Sequence, residues 1–564
     1  MPTFADKIDM QNRLFAELSA MFGKEVPLYD KALAVNFACN RAVCDLLAVR
    51  HPGFAVSDEE IERTSGERHG AIRIGRPDEY RLIARFFACF GMEPHNFYDM
   101  TAIGAKSQPV IATAFRSPRK PEHRVFTSLL MSDYFDDATR KRIEEALSKR
   151  QVFSQRAIEL IDTCERDGGL SWDDATALIA EATTRIFKWT GHAHDSKLYT
   201  DLCEGGFKIA ADIACFERHH LNHLTPNTLC MDVYTAAMKL CMGEGDRTTF
   251  EKRATRALER MLLMSGRDWL TLHFKHLGHD RIAQAGEADI DSAMLATHVT
   301  ALADRLGQSD LDLTTLPHSG FKDFTEGPAS DTPVLLRQDA YKALTEPVTF
   351  VEADGSETRS SHTARFGEIE QRFYATTPAG RAMYDQCLAA FEDSRAKSPD
   401  LAKTDEAAFL ALQREAFASF PKSLQGLLDR NLVYAEYAAT DAGRAAKGTI
   451  STTDMQELVK LGYATREGLR YEDFLPVSAA GIFASNLSQY GTASTAAKRP
   501  EYSREQLEEI MGKPIIDTDA AYAAVDAKSR LEVYEQLGVL AMLNEADRKR
   551  LEKASAVSTP AKLQ

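Results

Sequence analysis

Hydrophobic residues recur at helical spacing near the start of the chain and again through its middle. Leu14, Leu18 and Phe22 lie four residues apart, which puts them on one face of a helix. The same period returns between residues 134 and 220, where Asp173 is suited to the first turn of a helix. The pattern predicts a protein in which helices predominate.

Short segments rich in β-branched and aromatic residues interrupt this pattern. Residues 69–75, 110–115 and 124–128 are of this kind and are separated by Gly and Pro, which is typical of strands. Strand character returns after residue 333, where Asp354-Gly355 predicts the turn of a hairpin whose second strand lies within residues 363–372. We therefore predict an α+β protein with a sheet core embedded in a largely helical scaffold.

The alternation of the two patterns also predicts the order of the regions along the chain. They are N-terminal helices (1–60), the first part of the sheet core (61–133), a helical region (134–220), the second part of the core (221–240 and 314–377), a helical insertion (241–313), a mainly helical C-terminal region (378–553) and a disordered tail (554–564).

Charge and composition narrow the choice of partners. The chain of 564 residues has 68 Lys and Arg against 83 Asp and Glu, a net charge of −15. Nucleic acid or an anionic membrane would normally require a strongly basic surface, so small molecules are the expected partners. Nine scattered cysteines without a C-x-x-C pair indicate no disulfide framework or zinc ribbon. With no signal peptide or membrane-span stretch evident, we expect a cytoplasmic protein.

The chain has no Walker loop, Rossmann glycine motif, nucleophile elbow or H-E-x-x-H motif, so any chemistry must come from histidines and acids. The pair His192 and His194 and the group 273–279 lie among polar or basic residues, and we interpret both as solvated surface. His219, His220 and His223 differ because an apolar stretch leads into them. They are therefore candidates for functional imidazoles at the end of a buried helix or strand.

Alternation along the predicted strands adds two further groups. His69 and Arg73 share one face of a strand, as do Glu368 and Glu370 of another. Two imidazoles and one carboxylate form the facial triad of non-haem iron oxygenases, and a nearby Arg can hold a substrate carboxylate. Alternation alone does not decide whether Glu368 or Glu370 is the ligand. Both acids could instead be solvated charges at the rim of a strand.

Five longer motifs point to a family. They are Glu67-Arg-His-Gly-Ala-Ile-Arg73, Arg124-Val-Phe-Thr-Ser-Leu-Leu130, Asn222-His-Leu-Thr-Pro226, Arg365-Phe-Gly-Glu-Ile-Glu-Gln-Arg372 and Tyr471-Glu-Asp-Phe-Leu-Pro-Val-Ser-Ala-Ala-Gly481. Together they resemble the 2-oxoadipate dioxygenase/decarboxylase family, also called 2-hydroxyglutarate synthase. The resemblance extends from about residue 25 to about residue 487.

The resemblance implies an iron(II) enzyme of lysine breakdown that is related to the vicinal oxygen chelate superfamily. It would convert 2-oxoadipate and dioxygen to D-2-hydroxyglutarate and carbon dioxide. The motifs imply His69, His223 and Glu368 as iron ligands and His69, Arg73 and Val477 as substrate-binding residues. Ser478, beside Val477, is a further candidate for the pocket, and His220 and Glu370 are candidates for supporting neighbours of the ligands. The 471–481 segment would thus contribute to the substrate pocket.

The sequence departs from the family pattern at Phe373, at Asp339-Ala340 and in the insertion 241–313, which lengthens the gap between His223 and Glu368. None of these changes removes a proposed ligand, and a peripheral packing or assembly role is expected for the insertion. Two alternatives stay open: a non-oxidative isomerase or lyase of vicinal oxygen chelate type with another divalent metal, and a non-catalytic small-molecule binding protein. The preferred 2-oxo acid and the oligomeric state are also open.

Overall fold

The computed structural model describes residues 4–66, 68–101, 107–118, 121–475 and 501–556. Its twelve described strands are β1 (Arg68–Ile74), β2 (Glu93–Asp99), β3 (Val110–Arg116), β4 (His123–Leu130), β5 (His192–His194), β6 (His223–Pro226), β7 (Leu336–Tyr341), β8 (Thr345–Val351), β9 (Glu357–Thr363), β10 (Gly367–Arg372), β11 (Ala435–Ala439) and β12 (Ala464–Gly468). Helices occupy most of the remaining chain, so the protein mixes helices with several sheets.

Side-chain caps mark the start of most helices in the first half of the chain. Asp6 accepts from the backbone N–H groups of Ile8 and Asp9 at the start of the first helix, and Ser57 with Glu60 forms a capping box at the third. These helices are α1 (Lys7–Glu25), α2 (Pro27–Arg50), α3 (Asp58–Ser65), α4 (Pro77–Cys89), α5 (Asp137–Ser148), α6 (Gln155–Asp167), α7 (Trp172–Glu181), α8 (Ser196–Glu204) and α9 (Lys208–Cys215).

The second half continues in the same way. Its helices are α10 (Met231–Cys241), α11 (Arg247–Met264), α12 (Arg267–His273), α13 (His279–Ala283), α14 (Ser292–Leu306), α15 (Pro378–Lys397), α16 (Leu401–Thr404), α17 (Glu406–Ala416), α18 (Leu424–Asp429), α19 (Asp441–Ala445), α20 (Met455–Lys460), α21 (Arg504–Met511), α22 (Thr518–Leu537) and α23 (Glu545–Ser555).

The largest described sheet has five strands in the order β2-β3-β4-β1-β6. Strand β1 runs parallel to β4 and antiparallel to β6, and the other neighbouring pairs in this sheet are antiparallel. Strands β10 and β7 form an antiparallel pair, and a bridge between Asn227 and Glu370 joins β10 to the end of β6. Therefore β1, β6 and β10 lie side by side in space, although the chain between them is long.

Three predicted regions need correction. Helix α4 lies inside the predicted sheet region 61–133, and helix α10 occupies residues 231–240, the second half of the predicted core segment 221–240. Both carry apolar residues at helical spacing that are buried against the sheet. The last helix ends at Ser555, so residues 554 and 555 belong to this helix and not to the predicted disordered tail. Residues 557–564 of the predicted tail lie outside the described residues.

The hairpin turn is present, but its second strand differs from the prediction. Gly355 adopts a positive φ of 82°, which the tight turn between β8 and β9 requires and glycine accepts at little cost. Strand β9 ends at Thr363, and the following β10 leaves the hairpin to pair with β7. The carboxylates of residues 368 and 370 therefore belong to a sheet apart from the hairpin.

The insertion packs into the main core. Phe250, Ala254, Leu258 and Met261 of α11 are buried in the same apolar cluster as residues of α2, α10 and the five-stranded sheet. His273 is also buried, with its ring stacked on Trp269 at a centroid distance of 4.0 Å, so the predicted solvated surface is wrong at this position. Burial lowers the pKa of His273 to about 3, which lets the neutral ring pack among apolar neighbours.

Helix α2 is long and apolar enough to cross a membrane by length and composition alone, contrary to the expectation that no such stretch exists. Its most apolar window is 56% buried within the protein. Such a helix is equally typical of the core of a soluble protein, so it is weak evidence for a membrane span.

Candidate metal centre

Three neighbouring strands each contribute one side chain to a buried cluster. His69 comes from β1, His223 begins β6, and Glu368 lies in β10. Their donor atoms all lie within 4.8 Å of one another, and this is the one such cluster of potential metal ligands in the part of the chain that the structure describes. Antiparallel pairing of β1 with β6 sets His69 opposite Thr225 and Ala71 opposite His223, so both imidazoles are on one face.

Glu368 is the centre of this cluster. Its Oε2 atom lies 3.0 Å from His69 Nε2 and 3.3 Å from His223 Nε2, and it accepts a hydrogen bond of 3.1 Å from Thr225 Oγ1. Its other oxygen, Oε1, is buried and has no hydrogen-bond partner among the described residues. A buried carboxylate oxygen without a partner is costly unless a cation compensates it.

The donor set fits a divalent metal ion. Adjacent ligands of an octahedral ion, each about 2.1 Å from it, are about 3 Å apart, close to the separations between Glu368 Oε2 and the two imidazole nitrogens. Burial lowers the pKa of His223 to about 4, so its imidazole is neutral at pH 7 and able to ligate. The two imidazoles and one carboxylate are the ligands of a facial triad.

Glu370 has a different environment from Glu368. Its Oε1 accepts from Arg124 Nη1 at 2.9 Å and from Arg372 Nε at 2.8 Å, and its Oε2 lies 2.7 Å from His69 Nδ1. Burial alone would raise the pKa of Glu370, but Arg372, His69 and Arg124 hold it well below its usual range. Glu370 is thus a buried, charged residue beside His69 Nδ1, the position from which carboxylates orient metal-bound histidines in other proteins.

His69 lies between these two carboxylates. Burial would lower its pKa, but Glu370 and Glu368 outweigh burial and raise it. The pKa of Glu368 is lowered, because its histidine neighbours outweigh the effect of burial. The arrangement therefore keeps both carboxylates ionised beside the two rings.

Arg73 stands further along β1, on the face that carries His69. It is buried, and its Nη1 donates a hydrogen bond of 2.5 Å to Asp212 Oδ2 on α9. His220, predicted as a supporting neighbour of the ligands, has its Nε2 3.2 Å from Asp212 Oδ1. His362 Nε2 lies 3.0 Å from the same oxygen. His220 is therefore a neighbour of the Arg73–Asp212 pair.

An aromatic wall closes one side of the cluster. The ring of Phe474 packs against the His69 ring at a centroid distance of 5.0 Å and against Phe126 at 5.4 Å. Tyr471 Oη donates to the carbonyl oxygen of Phe474 and holds this turn in position. Val477 and Ser478, the predicted pocket residues, lie outside the described residues.

Sequence reasoning missed Asp212, His362 and Phe474 as residues near the site. Asp212 follows a buried apolar helix face and is itself inward-facing, which is unusual for an acid and could have marked it. His362 is isolated in the sequence, and only the fold brings it to residue 212.

A buried cluster of two histidines and one carboxylate on three neighbouring strands is typical of metal-dependent enzymes. The family model for 2-oxoadipate dioxygenase/decarboxylase matches residues 14–243 and 293–486. The chain belongs to this family. The unmatched residues 244–292 fall within the insertion 241–313.

Individual relatives extend the match over nearly the whole chain. A 2-oxoadipate dioxygenase/decarboxylase from Pseudomonas putida is 33% identical over 539 residues, which are 93% of this chain and 96% of that protein. One from Escherichia coli is 30% identical and covers 93% of this chain and 97% of its own length. The crystal structure of the hydroxyglutarate synthase from P. putida in complex with 2-oxoadipate superposes with a TM-score of 0.66 at 30% identity, covering 95% of this chain and all of that one.

Proposed function

We propose that this protein is an iron(II)-dependent oxygenase that converts 2-oxoadipate and dioxygen to D-2-hydroxyglutarate and carbon dioxide. The buried cluster of His69, His223 and Glu368 is the observation that carries the proposal. Membership of the 2-oxoadipate dioxygenase/decarboxylase family supports the substrate and the reaction class. The reaction is balanced, because one 2-oxoadipate and one dioxygen together contain the same atoms as one 2-hydroxyglutarate and one carbon dioxide.

His69, His223 and Glu368 would hold the metal from one side. Bound there, iron(II) supplies dioxygen activation and coordination of a 2-oxo acid, the chemistry for which facial triads leave open positions. Glu368 would contribute one negative charge, and the two imidazoles, which are neutral when they ligate a metal, would contribute none. Glu370, whose Oε2 lies 2.7 Å from His69 Nδ1, would orient the ring and leave Nε2 available as the ligand atom.

The remaining residues bind the substrate and exclude water. Arg73 presents a guanidinium that can hold a substrate carboxylate through charge-assisted hydrogen bonds. Phe474 and Phe126 give the cluster an apolar side, which keeps bulk water from the reacting groups and strengthens the electrostatic contacts inside. Val477 and Ser478 are proposed to line the same pocket.

Further parts of the proposal follow from the family. The sheet that carries the ligands is proposed to be of vicinal oxygen chelate type, with the helices outside it as its scaffold. A 2-oxo acid and dioxygen are the proposed partners, with no nucleic acid or membrane, and the cytoplasm is the proposed location. The net charge of −15 agrees with small-molecule partners.

The test is reconstitution of the purified protein with iron(II) without oxygen, followed by 2-oxoadipate and then oxygen. Oxygen uptake, carbon dioxide release and the mass of the organic product are measured together. One oxygen consumed and one carbon dioxide released per 2-hydroxyglutarate supports the proposal. Anaerobic turnover would instead identify a non-oxidative enzyme, and substrate binding without turnover would indicate a binding protein.

A further inference from the structure

The guanidinium of Arg73 is held by Asp212, a carboxylate that lies outside the five sequence motifs. Arg73 Nη1 and Asp212 Oδ2 are 2.5 Å apart, and both side chains are buried. Arg73 belongs to β1, whereas Asp212 belongs to α9, a helix separate from the metal-bearing strands. The contact therefore fixes the substrate-binding strand to the helical scaffold.

Asp212 is itself held in place by a chain of polar residues. His362 Nε2 and His220 Nε2 approach its Oδ1 at 3.0 Å and 3.2 Å. The other ring nitrogen of His362 lies 2.8 Å from Tyr199 Oη. Each oxygen of Asp212 thus has a partner, and the carboxylate is unable to rotate without breaking these contacts.

Aromatic packing restricts the same chain further. The ring of His220 packs on Trp189 at a centroid distance of 4.6 Å, and the ring of His362 packs on Phe216 at 4.6 Å. The two histidine rings contact the carboxylate of Asp212 and are themselves held by aromatic neighbours. The position of Asp212 is therefore set by α9 and β9 and not by Arg73 alone.

A fixed carboxylate behind Arg73 has two consequences for an incoming anion. An arginine side chain has many rotamers, and holding one of them beforehand reduces the entropy lost when a ligand binds. The charge of Asp212 would repel a substrate carboxylate, so the guanidinium must remain between the two. Arg73 can bridge them because its fork presents several N–H groups in one plane.

We propose that Asp212 is the positioning residue of Arg73 and sets the affinity for the carboxylate of a 2-oxo acid, with His362 and Tyr199 holding Asp212. This inference rests on the proposed function, in which Arg73 binds that carboxylate. Asp212 acts through Arg73, so its loss weakens substrate binding more than it slows the bound substrate's reaction and leaves the metal site loaded.

The first test compares Asp212→Asn with a matched control, Glu79→Gln. Glu79 is also a buried acid held by an arginine and a histidine, but these are Arg150, with Nη2 at 2.7 Å, and His219, with Nε2 at 3.3 Å. Both variants lose one buried negative charge. Only Asp212→Asn removes the support of the substrate-binding group.

The measurements are iron content, thermal unfolding, KM and kcat for 2-oxoadipate, and calorimetric affinity for 2-oxoadipate under anaerobic conditions. For Asp212→Asn we expect KM to rise about tenfold or more, the size of effect that loss of a supporting hydrogen-bond partner has at metal sites, with a smaller change in kcat. Glu79→Gln should lower the melting temperature and leave KM unchanged. Unchanged KM in Asp212→Asn, or an equal rise in both variants, overturns the inference.

A double-mutant cycle with Arg73→Ala separates positioning from general destabilisation. If Asp212 acts through Arg73, Asp212→Asn adds little to the loss of affinity already caused by Arg73→Ala, whereas independent effects multiply. Independent effects overturn the inference. If Asp212→Asn does not fold, His362→Asn replaces it in the same cycle, with a smaller rise in KM expected and an unchanged KM contradicting the proposal.

Wild-type activity separates this inference from the proposed function. If the iron-loaded wild type does not turn over 2-oxoadipate, the proposed function fails, and Asp212 is then tested by calorimetric binding alone. If the wild type turns over and Asp212→Asn keeps its KM, only the inference about Asp212 fails.

Discussion

His69 Nε2 lies 3.0 Å from Glu368 Oε2, although 299 residues separate the two along the chain. The contact depends on the position of β6 between β1 and β10, because the bridge from Asn227 to Glu370 brings β10 alongside. It also brings His223 to the same carboxylate oxygen. The three candidate ligands therefore come together because of the order in which these strands lie side by side.

Glu368→Ala should abolish metal binding. The change removes the carboxylate that both imidazoles approach, and we expect affinity for iron(II) to fall by more than about 100-fold. Metal analysis after gel filtration and calorimetric titration measure the effect. Glu357→Ala, an exposed acid on β9, is the matched control and should bind iron as the wild type does. Wild-type iron occupancy in Glu368→Ala would rule out this ligand assignment.

Glu370→Gln should weaken metal binding without abolishing it. The variant retains a side chain near His69 Nδ1 but leaves Arg124 and Arg372 with one negative partner fewer. We expect a loss of about 10–100-fold in iron affinity and of about 3 kcal/mol in the free energy of unfolding. Calorimetry and urea unfolding measure the two quantities. A loss of iron as complete as in Glu368→Ala would contradict the distinction between the two acids.

Arg73→Lys should weaken substrate binding and spare the metal. A lysine keeps the positive charge but loses the planar fork that can contact Asp212 and a substrate carboxylate together, so KM for 2-oxoadipate should rise about tenfold. Steady-state kinetics and iron analysis check this expectation. The control is Arg359→Lys, the same exchange at an exposed position on β9. An unchanged KM would remove Arg73 from the pocket.

Asp339→Asn should change the pH dependence of stability. Asp339 is buried and accepts from Thr235 Oγ1 and Thr325 Oγ1, and burial raises its pKa from 3.8 to about 6. Between about pH 4 and pH 6 the folded state therefore binds the proton more tightly than the unfolded state, so stability falls as the pH rises through this window. The shift corresponds to about 3 kcal/mol.

The asparagine variant keeps an acceptor for both threonines and has no proton to lose. Its free energy of unfolding, measured with urea from pH 4 to pH 7.5, should exceed that of the wild type increasingly above pH 4 and reach a constant difference above pH 6. Parallel pH profiles for the two proteins would show that Asp339 does not titrate in this range.

The amino-acid sequence determined the local elements and the identity of the family. Spacing of apolar residues predicted most of the helices, and Asp354-Gly355 predicted a turn because its glycine accepts positive φ. The motifs around residues 69, 223 and 368 led to the family, which the comparisons confirmed. Each of these signals is contained within a few consecutive residues.

The family resemblance implied Glu368 and not Glu370 as the ligand, but only the tertiary structure supplied the physical reason and joined Asp212 and His362 to Arg73. Alternation puts both glutamates on one strand face, and their difference arises from their neighbours. Glu368 Oε2 meets imidazoles from β1 and β6, whereas Glu370 Oε1 meets Arg124 of β4 and Arg372 of its own strand. His273 was likewise predicted to be solvated, but Trp269 and Phe373 bury it. Such contacts join residues far apart in the chain, and local periodicity has no information about which distant elements will pack together.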